Sequence, residues 1–328
     1  MLTHGTSSLD LTEDSLTMMT PKQLKEKVVG PYVVTLTPFD SRLELDEQGL
    51  CRNIRYLIDC GIVNGAGVIC PTGSTGECYV LSNQERRRVW EIVMNEAAGR
   101  VPVVAGCNLP GTDHVIELVK MAEEVGMDGV MILPPYYWAP AHLDVVAHFQ
   151  AISDATRLGI VVYNNVWITR CDFSLETLTA LSKIEHIVAI KDCTNSFSRM
   201  MDELFAIGNR INIINCFDGL EELGYEWGCK GFITTYGNFL GEWASDLHTA
   251  SMAHDRKRGR ELAAWVRPLQ DVVNNVKRTL GEAQSISCWK ACMDLCGLAG
   301  GYLRLPALPV SNELRAKLEQ TLRQMGRI

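Results

Sequence analysis

The sequence predicts an α/β fold: a closed (β/α)8 barrel followed by a C-terminal helical region. Three observations carry this. Eight short runs rich in Val and Ile recur along the chain, each continuous rather than alternating, as parallel strands covered on both faces are. Amphipathic helical segments separate them. No Gly-x-Gly-x-x-Gly follows the first run, and Gly65-Ala66-Gly67 precedes a strand instead of following one. An unbroken series of eight β-then-α units therefore fits a barrel better than an open doubly wound sheet.

In chain order, residues 1 to about 25 are polar and read as a mobile extension. The barrel is expected over residues 26–254, with strands at 32–36, 67–70, 101–106, 129–133, 159–163, 187–191, 211–216 and 231–235. Between them, residues 84–96 place Val89, Ile92 and Val93 on one helix face, and residues 113–125 have the same period. Residues 255–328 read as three further helices with a loop at 300–306.

Composition narrows the function. A chain of 328 residues, 47% hydrophobic and 21% charged, can bury a large core. Its net charge of −8 argues against a nucleic-acid partner, and the one basic run, Arg86-Arg87-Arg88, reads as a solvated helix face. No apolar run reaches the ~20 residues needed to span a bilayer, so no membrane partner and a cytoplasmic location are expected. None of the twelve cysteines forms a C-x-x-C pair. Cys70, Cys107 and Cys216 sit in apolar strands as small hydrophobes do, which fits a reducing compartment. Cys288, Cys292 and Cys296 share a helix face but read as packed core, and no metal site is expected.

The residue with the clearest chemistry is Lys191, which closes the apolar run Ile187-Val188-Ala189-Ile190. Burial disfavours an ammonium ion. A lysine there pairs with an acid such as Asp192, reaches solvent, or serves as a nucleophilic amine. In a barrel the strand C-termini converge on one mouth. Tyr163 ends the neighbouring strand, Gly73-Ser74-Thr75-Gly76-Glu77 follows strand two, Thr37 follows strand one, and Pro135-Tyr136-Tyr137-Trp138 follows strand four. A lysine amine condenses with a ketone to an imine, an electron sink for bond changes at the adjacent carbon. A tyrosine hydroxyl can move the protons, and glycine-flanked hydroxyls and N–H groups suit a carboxylate.

These residues resemble the dihydrodipicolinate synthase and N-acetylneuraminate lyase family, class I (β/α)8 lyases acting on pyruvate and related 2-keto acids. The likeness covers about residues 30–309, through Thr37-Pro38-Phe39, Gly73 to Glu77, Pro135-Tyr136-Tyr137, Tyr163-Asn164 and Ile190-Lys191-Asp192. It implies that Lys191 forms the Schiff base and Tyr163 shuttles protons. Ser74 and Thr75 would bind the keto-acid carboxylate, Tyr137 would enter a neighbouring subunit's site, and the assembly would be a homotetramer built as a pair of dimers. Catalysis is thus expected of Lys191, Tyr163, Thr75 and Tyr137. Substrate contacts are expected of Gly73, Ser74, Thr75, Thr37, Ile233, Asn165 and Arg170, with no cofactor beyond the covalent imine and no metal.

One segment departs from the family. Lysine-pathway synthases resemble Tyr-Asn-Val-Pro followed closely by an arginine for the carboxylate of aspartate semialdehyde, whereas this chain reads Tyr163-Asn164-Asn165-Val166-Trp167-Ile168-Thr169-Arg170. Val166 stands for the proline and Ile168 for the arginine, with Arg170 two residues beyond. The expected activity is a Schiff-base lyase or aldolase joining or cleaving pyruvate and an aldehyde. The alternatives are authentic 4-hydroxy-tetrahydrodipicolinate synthase, a 2-keto-3-deoxy sugar acid dehydratase, and a hydratase-aldolase of aryl or alkyl aldehydes.

Overall fold

The computed structural model describes residues 18–194 and 196–328. Its strands are β1 (Gly30–Val34), β2 (Val68–Cys70), β3 (Val104–Gly106), β4 (Gly129–Ile132), β5 (Gly159–Asn164), β6 (Ile187–Asp192), β7 (Asn212–Asn215) and β8 (Gly231–Thr234). They lie in the order β2-β1-β8-β7-β6-β5-β4-β3 with parallel neighbours. A parallel bridge between Ile69 and Val103 joins the two ends, closing a TIM barrel.

Continuous apolar strands follow from burial on both faces. Tyr32, Val34, Val68, Val104, Met131 and Val161 fill the barrel interior. The alternating neighbours Val33, Ile69, Ala105, Val130 and Ile160 pack outward against the helices. Some boundaries differ from those expected. β1 begins at Gly30, whose φ of 79° and close approach to the Ala66 carbonyl carbon, 2.9 Å from an added Cβ, require glycine. β3 is confined to three residues.

The chain after the barrel forms helices Arg256–Leu280, Gln284–Leu295 and Asn312–Gln324. They share an apolar cluster that includes Val266, Leu269, Val273, Leu318 and Leu322. Cys288 and Cys292 are buried within it.

Three expectations need correction. Residues 21–25, read as part of an extension, belong to helix Pro21–Lys27, started by a reciprocal cap between Thr20 and Gln23. Its Leu24 is fully buried beneath the barrel, against Gly129 and Gly159, where an added Cβ would lie 2.3 and 2.7 Å from Leu24 Cδ2. Residues 1–17 lie outside the described part. Arg86 does not share the solvated face of its neighbours: it is buried and donates to the Cys78 carbonyl, while Arg87 and Arg88 pair with Glu124 and Glu47. Cys216 is no simple strand hydrophobe, because it forms a disulfide with Cys193.

Candidate active site

β5 and β6 pair in a register that sets Tyr163 beside Lys191 and Asn164 beside Asp192. Both Tyr163 and Lys191 are buried at the mouth of the barrel. Lys191 Nζ sits 3.8 Å from the centre of the Tyr163 ring, a distance at which the ring face attracts a cation. Among the described residues its amine has no ion pair, and Asp192 turns away from it. An amine stacked on a tyrosine and free of acids is arranged to react, and the ion-pair reading of Lys191 falls.

Asp192 instead locks the strand ends. Its carboxylate accepts from Asn164 Nδ2 at 2.8 Å across the β5–β6 seam and from the Thr194 N–H at 2.8 Å. Arg199, on helix Phe197–Ile207, lies 3.7 Å from Asp192 and donates from Nε to Glu203 at 2.9 Å. Burial, reinforced by hydrogen bonding to Asp192 and opposed by Arg199, pushes the Glu203 carboxyl up to about 9. Burial and the nearby Asp192 thus favour the protonated form of Glu203, and Arg199 opposes them.

The turn after β2 carries Gly73, Ser74 and Thr75. Gly73 faces the interior, where a Cβ would meet Val34 Cγ1 at 2.7 Å. Thr72 and Glu77 flank the turn in the left-handed region, at φ 54° and 57°, a conformation that costs non-glycine residues energy unless the surroundings impose it. They do. Trp90 Nε1 donates to Thr72 Oγ1 at 2.8 Å, and Lys290 Nζ donates to Glu77 Oε1 at 2.5 Å and to the Tyr302 carbonyl at 2.8 Å. Burial pushes the Glu77 carboxyl up and the Lys290 amine down, each opposed by the other's charge. The hydroxyls of Ser74 and Thr75, both half-buried, make no hydrogen bond among the described residues. Thr37 is placed differently from expectation: its hydroxyl donates to the Gly76 carbonyl at 2.7 Å and so holds the turn.

After β5, Asn165 is doubly committed. Its Oδ1 accepts from the N–H groups of Trp167 and Ile168, capping helix Val166–Thr169, and its Nδ2 donates to the Tyr163 hydroxyl at 2.7 Å. It positions Tyr163, and the second N–H of its Nδ2 makes no hydrogen bond among the described residues. Ile168 is 43% exposed. Arg170 ends that helix at φ 53°, exposed and without an ion pair among the described residues. Ile233 on β8 packs against the interior cluster near Tyr32. Tyr137 and Trp138 meet edge to face at 6.5 Å and are each 83% exposed.

Lys191 and Tyr163 thus come together, with the Ser74-Thr75 turn on the same mouth. Sequence reasoning missed Glu203, Arg199 and Lys290, and it missed the bond from Asn165 to the Tyr163 hydroxyl. A glutamate at Glu203, four residues after Arg199 on an otherwise apolar helix face, was the available signal. No group of three or more His, Cys, Asp or Glu among the described residues is placed to hold a metal, and no described helix is long and apolar enough to cross a membrane.

Comparison with known proteins follows the same line. The chain is 33% identical over 305 residues to a 4-hydroxy-tetrahydrodipicolinate synthase of Bradyrhizobium diazoefficiens, covering 93% of this chain and 99% of that protein. It is 34% identical over 302 residues to the enzyme of that name from Phenylobacterium zucineum, covering 91% and 98%. The dihydrodipicolinate synthase structure from Aquifex aeolicus superposes with a TM-score of 0.83 at 27% identity, over 91% of this chain and 98% of that one. The Acinetobacter baumannii enzyme complexed with pyruvate gives 0.83 at 26% identity, over 92% and 100%. With the family profile matched across residues 27–325, this chain belongs to the dihydrodipicolinate synthetase family.

Proposed function

We propose that Lys191 forms an imine with pyruvate or a closely related 2-keto acid, and that the enzyme makes or breaks the carbon–carbon bond to an aldehyde through it. The chain is a lyase of the class I aldolase type. The observation that carries the assignment is the buried Lys191 amine lying on the Tyr163 ring with its neighbouring acid tied elsewhere. The amine adds to the ketone and water leaves. Loss of a methyl proton gives an enamine, whose carbon attacks the aldehyde. Hydrolysis of the new imine then restores the amine. Tyr163, with Asn165 donating to its oxygen, relays protons to and from the departing oxygen. Ser74 and Thr75 hold the carboxylate of the keto acid. No metal or separate cofactor is required, because the iminium itself is the electron sink.

A homotetramer built as a pair of dimers, located in the cytoplasm, completes this reading. Its supports are the exposed Tyr137-Trp138 pair, an aromatic surface of the kind that marks contacts between subunits, and ten cysteines without a partner. In the assembly Tyr137 enters the site of a neighbouring copy.

Borohydride added with pyruvate tests the assignment. A reduced pyruvyl adduct on Lys191, located by peptide mass spectrometry, is expected, and an adduct on another lysine or none overturns it.

The names of the relatives favour a second reading, authentic 4-hydroxy-tetrahydrodipicolinate synthesis. Against it, Ile168 occupies the position of the carboxylate-binding arginine, and desolvating a carboxylate without a cation costs several kcal/mol. We expect kcat/KM for aspartate semialdehyde at least ~10²-fold below that of the best uncharged aldehyde, a ratio worth about 2.7 kcal/mol. Efficient use of aspartate semialdehyde that Arg170→Ala selectively removes would establish the second reading.

A further inference from the structure

The β6–β7 ladder ends where Lys191 pairs with Ile214. Two residues further along each strand stand Cys193 and Cys216, joined as a disulfide with Cα atoms 5.3 Å apart. Because side chains alternate along a strand, Cys193 points to the same side as Lys191, and it packs against the apolar cluster of the barrel interior. The bridge therefore lies in the wall of the mouth, one layer above the reactive amine. Cys193 is also held from the other side, its N–H donating to the Asn164 carbonyl at 2.9 Å.

Two further observations separate this bridge from an ordinary structural staple. The other ten cysteines are unpaired, including the partly exposed Cys51, Cys60 and Cys296, so the chain does not rely on disulfides for its core. In a reducing compartment, which the free thiols fit, a disulfide is usually transient and catalytic or redox-sensing. Neither Cys193 nor Cys216 is fully buried, and exchange requires a thiolate to reach one of the two sulfurs.

We infer that Cys193–Cys216 is a reversible thiol–disulfide site that controls how firmly the Lys191 end of β6 is held, and thus the rate of imine formation. The inference rests on the assignment of Lys191 made above. The co-reactant is a low-molecular-weight thiol or dithiol. A thiolate of the reductant attacks one sulfur, forming a mixed disulfide as the S–S bond breaks and the partner cysteine leaves; a second reductant thiolate then displaces the cysteine held in the mixed disulfide, and each released cysteine takes up a proton. Two electrons pass from the reductant, which leaves as its own disulfide. Oxidised glutathione reverses the exchange. With the bridge open, the ends of β6 and β7 have no covalent tie beyond the last ladder pair, and Lys191 loses part of its preorganisation.

The test uses the full chain, purified without reductant and then treated with dithiothreitol at a temperature well below its melting point. Alkylation in denaturant counts the thiols, with ten expected before treatment and twelve after. Reduction is expected to lower both kcat/KM and the rate of borohydride-trapped imine at Lys191 by ~10-fold, short of the ~10²-fold that a 1 Å misplacement can cost. Oxidised glutathione should restore both, and Cys193→Ser/Cys216→Ser should stay at the reduced level and ignore dithiothreitol. The reduction and reoxidation cycle of the natural chain decides the matter even if that variant does not fold. Equal activity and equal trapping in the two states overturn the inference alone, as does a loss that tracks unfolding by circular dichroism. Twelve free thiols that oxidised glutathione cannot pair also overturn it. Absence of trapping at Lys191 in both states overturns the site assignment, and this inference with it.

Discussion

Lys191 and Lys290 are both buried, and they are buried for opposite reasons. Lys290, on helix Gln284–Leu295, meets Glu77 and the Tyr302 carbonyl and lies 4.7 Å from the centre of the Phe39 ring, so its charge is answered on every side. Lys191 meets a tyrosine face, and its adjacent acid is committed to Asn164, Thr194 and Arg199. One lysine completes a framework and the other is withheld from it. A buried cation indicates chemistry only when the structure has spent its counter-ion elsewhere.

Exchanging the two roles by mutation should separate activity from stability. Lys191→Ala is expected to lower turnover on the order of 10⁴–10⁶-fold, as loss of a covalent nucleophile does, while thermal unfolding changes little because no ion pair among the described residues is broken. Lys290→Met should do the reverse at the level of the fold. It leaves Glu77 without its cation in a buried site and should cost about 3–5 kcal/mol in denaturant unfolding. A Lys290→Met protein of normal stability would remove the distinction.

Smaller effects sharpen it. Tyr163→Phe should lower kcat by ~10²–10⁴-fold, the usual contribution of a general acid–base group. Asn165→Ala, which removes the donor to the Tyr163 hydroxyl, should lower kcat roughly two- to tenfold with KM for pyruvate unchanged. A rise in KM alone would return Asn165 to substrate binding.

The smallest effect concerns the corner behind Lys191. Glu203 holds its proton up to about pH 9 in the fold but only to ~4.3 in an unfolded chain. Between those limits the folded state binds the extra proton, so stability falls as pH rises, by up to ~1.4 kcal/mol per pH unit. Glu203→Gln should flatten that slope in urea titrations between pH 5 and 9, and an unchanged slope would show that other groups set it.

What the sequence revealed divides along similar lines. The barrel was legible because each strand is a local run buried on both faces. The Tyr163–Lys191 pair was legible because neighbouring parallel strands must end together. The support of the site was not. Glu77 and Lys290 are separated by 213 positions, and nothing local to either names the other. The cap of Asn165 and its bond to Tyr163 depend on a four-residue helix too short to show a period. Leu24 is one apolar residue in a polar helix, and its burial follows from the opening beneath Gly129 and Gly159, a property of the closed barrel rather than of its own segment. Cys216 looked like a strand hydrophobe because its partner stands on a different strand.

Leu24 has a further effect on the reaction. Leu24 and the packed interior close the lower end of the barrel among the described residues, so the catalytic amine is reached from the mouth. The water expelled as the imine forms, the water that later hydrolyses it, the keto acid and the aldehyde must all pass the same threshold. Entry and exit are in series, so a product lingering at the rim is an inhibitor of the next turnover by traffic alone.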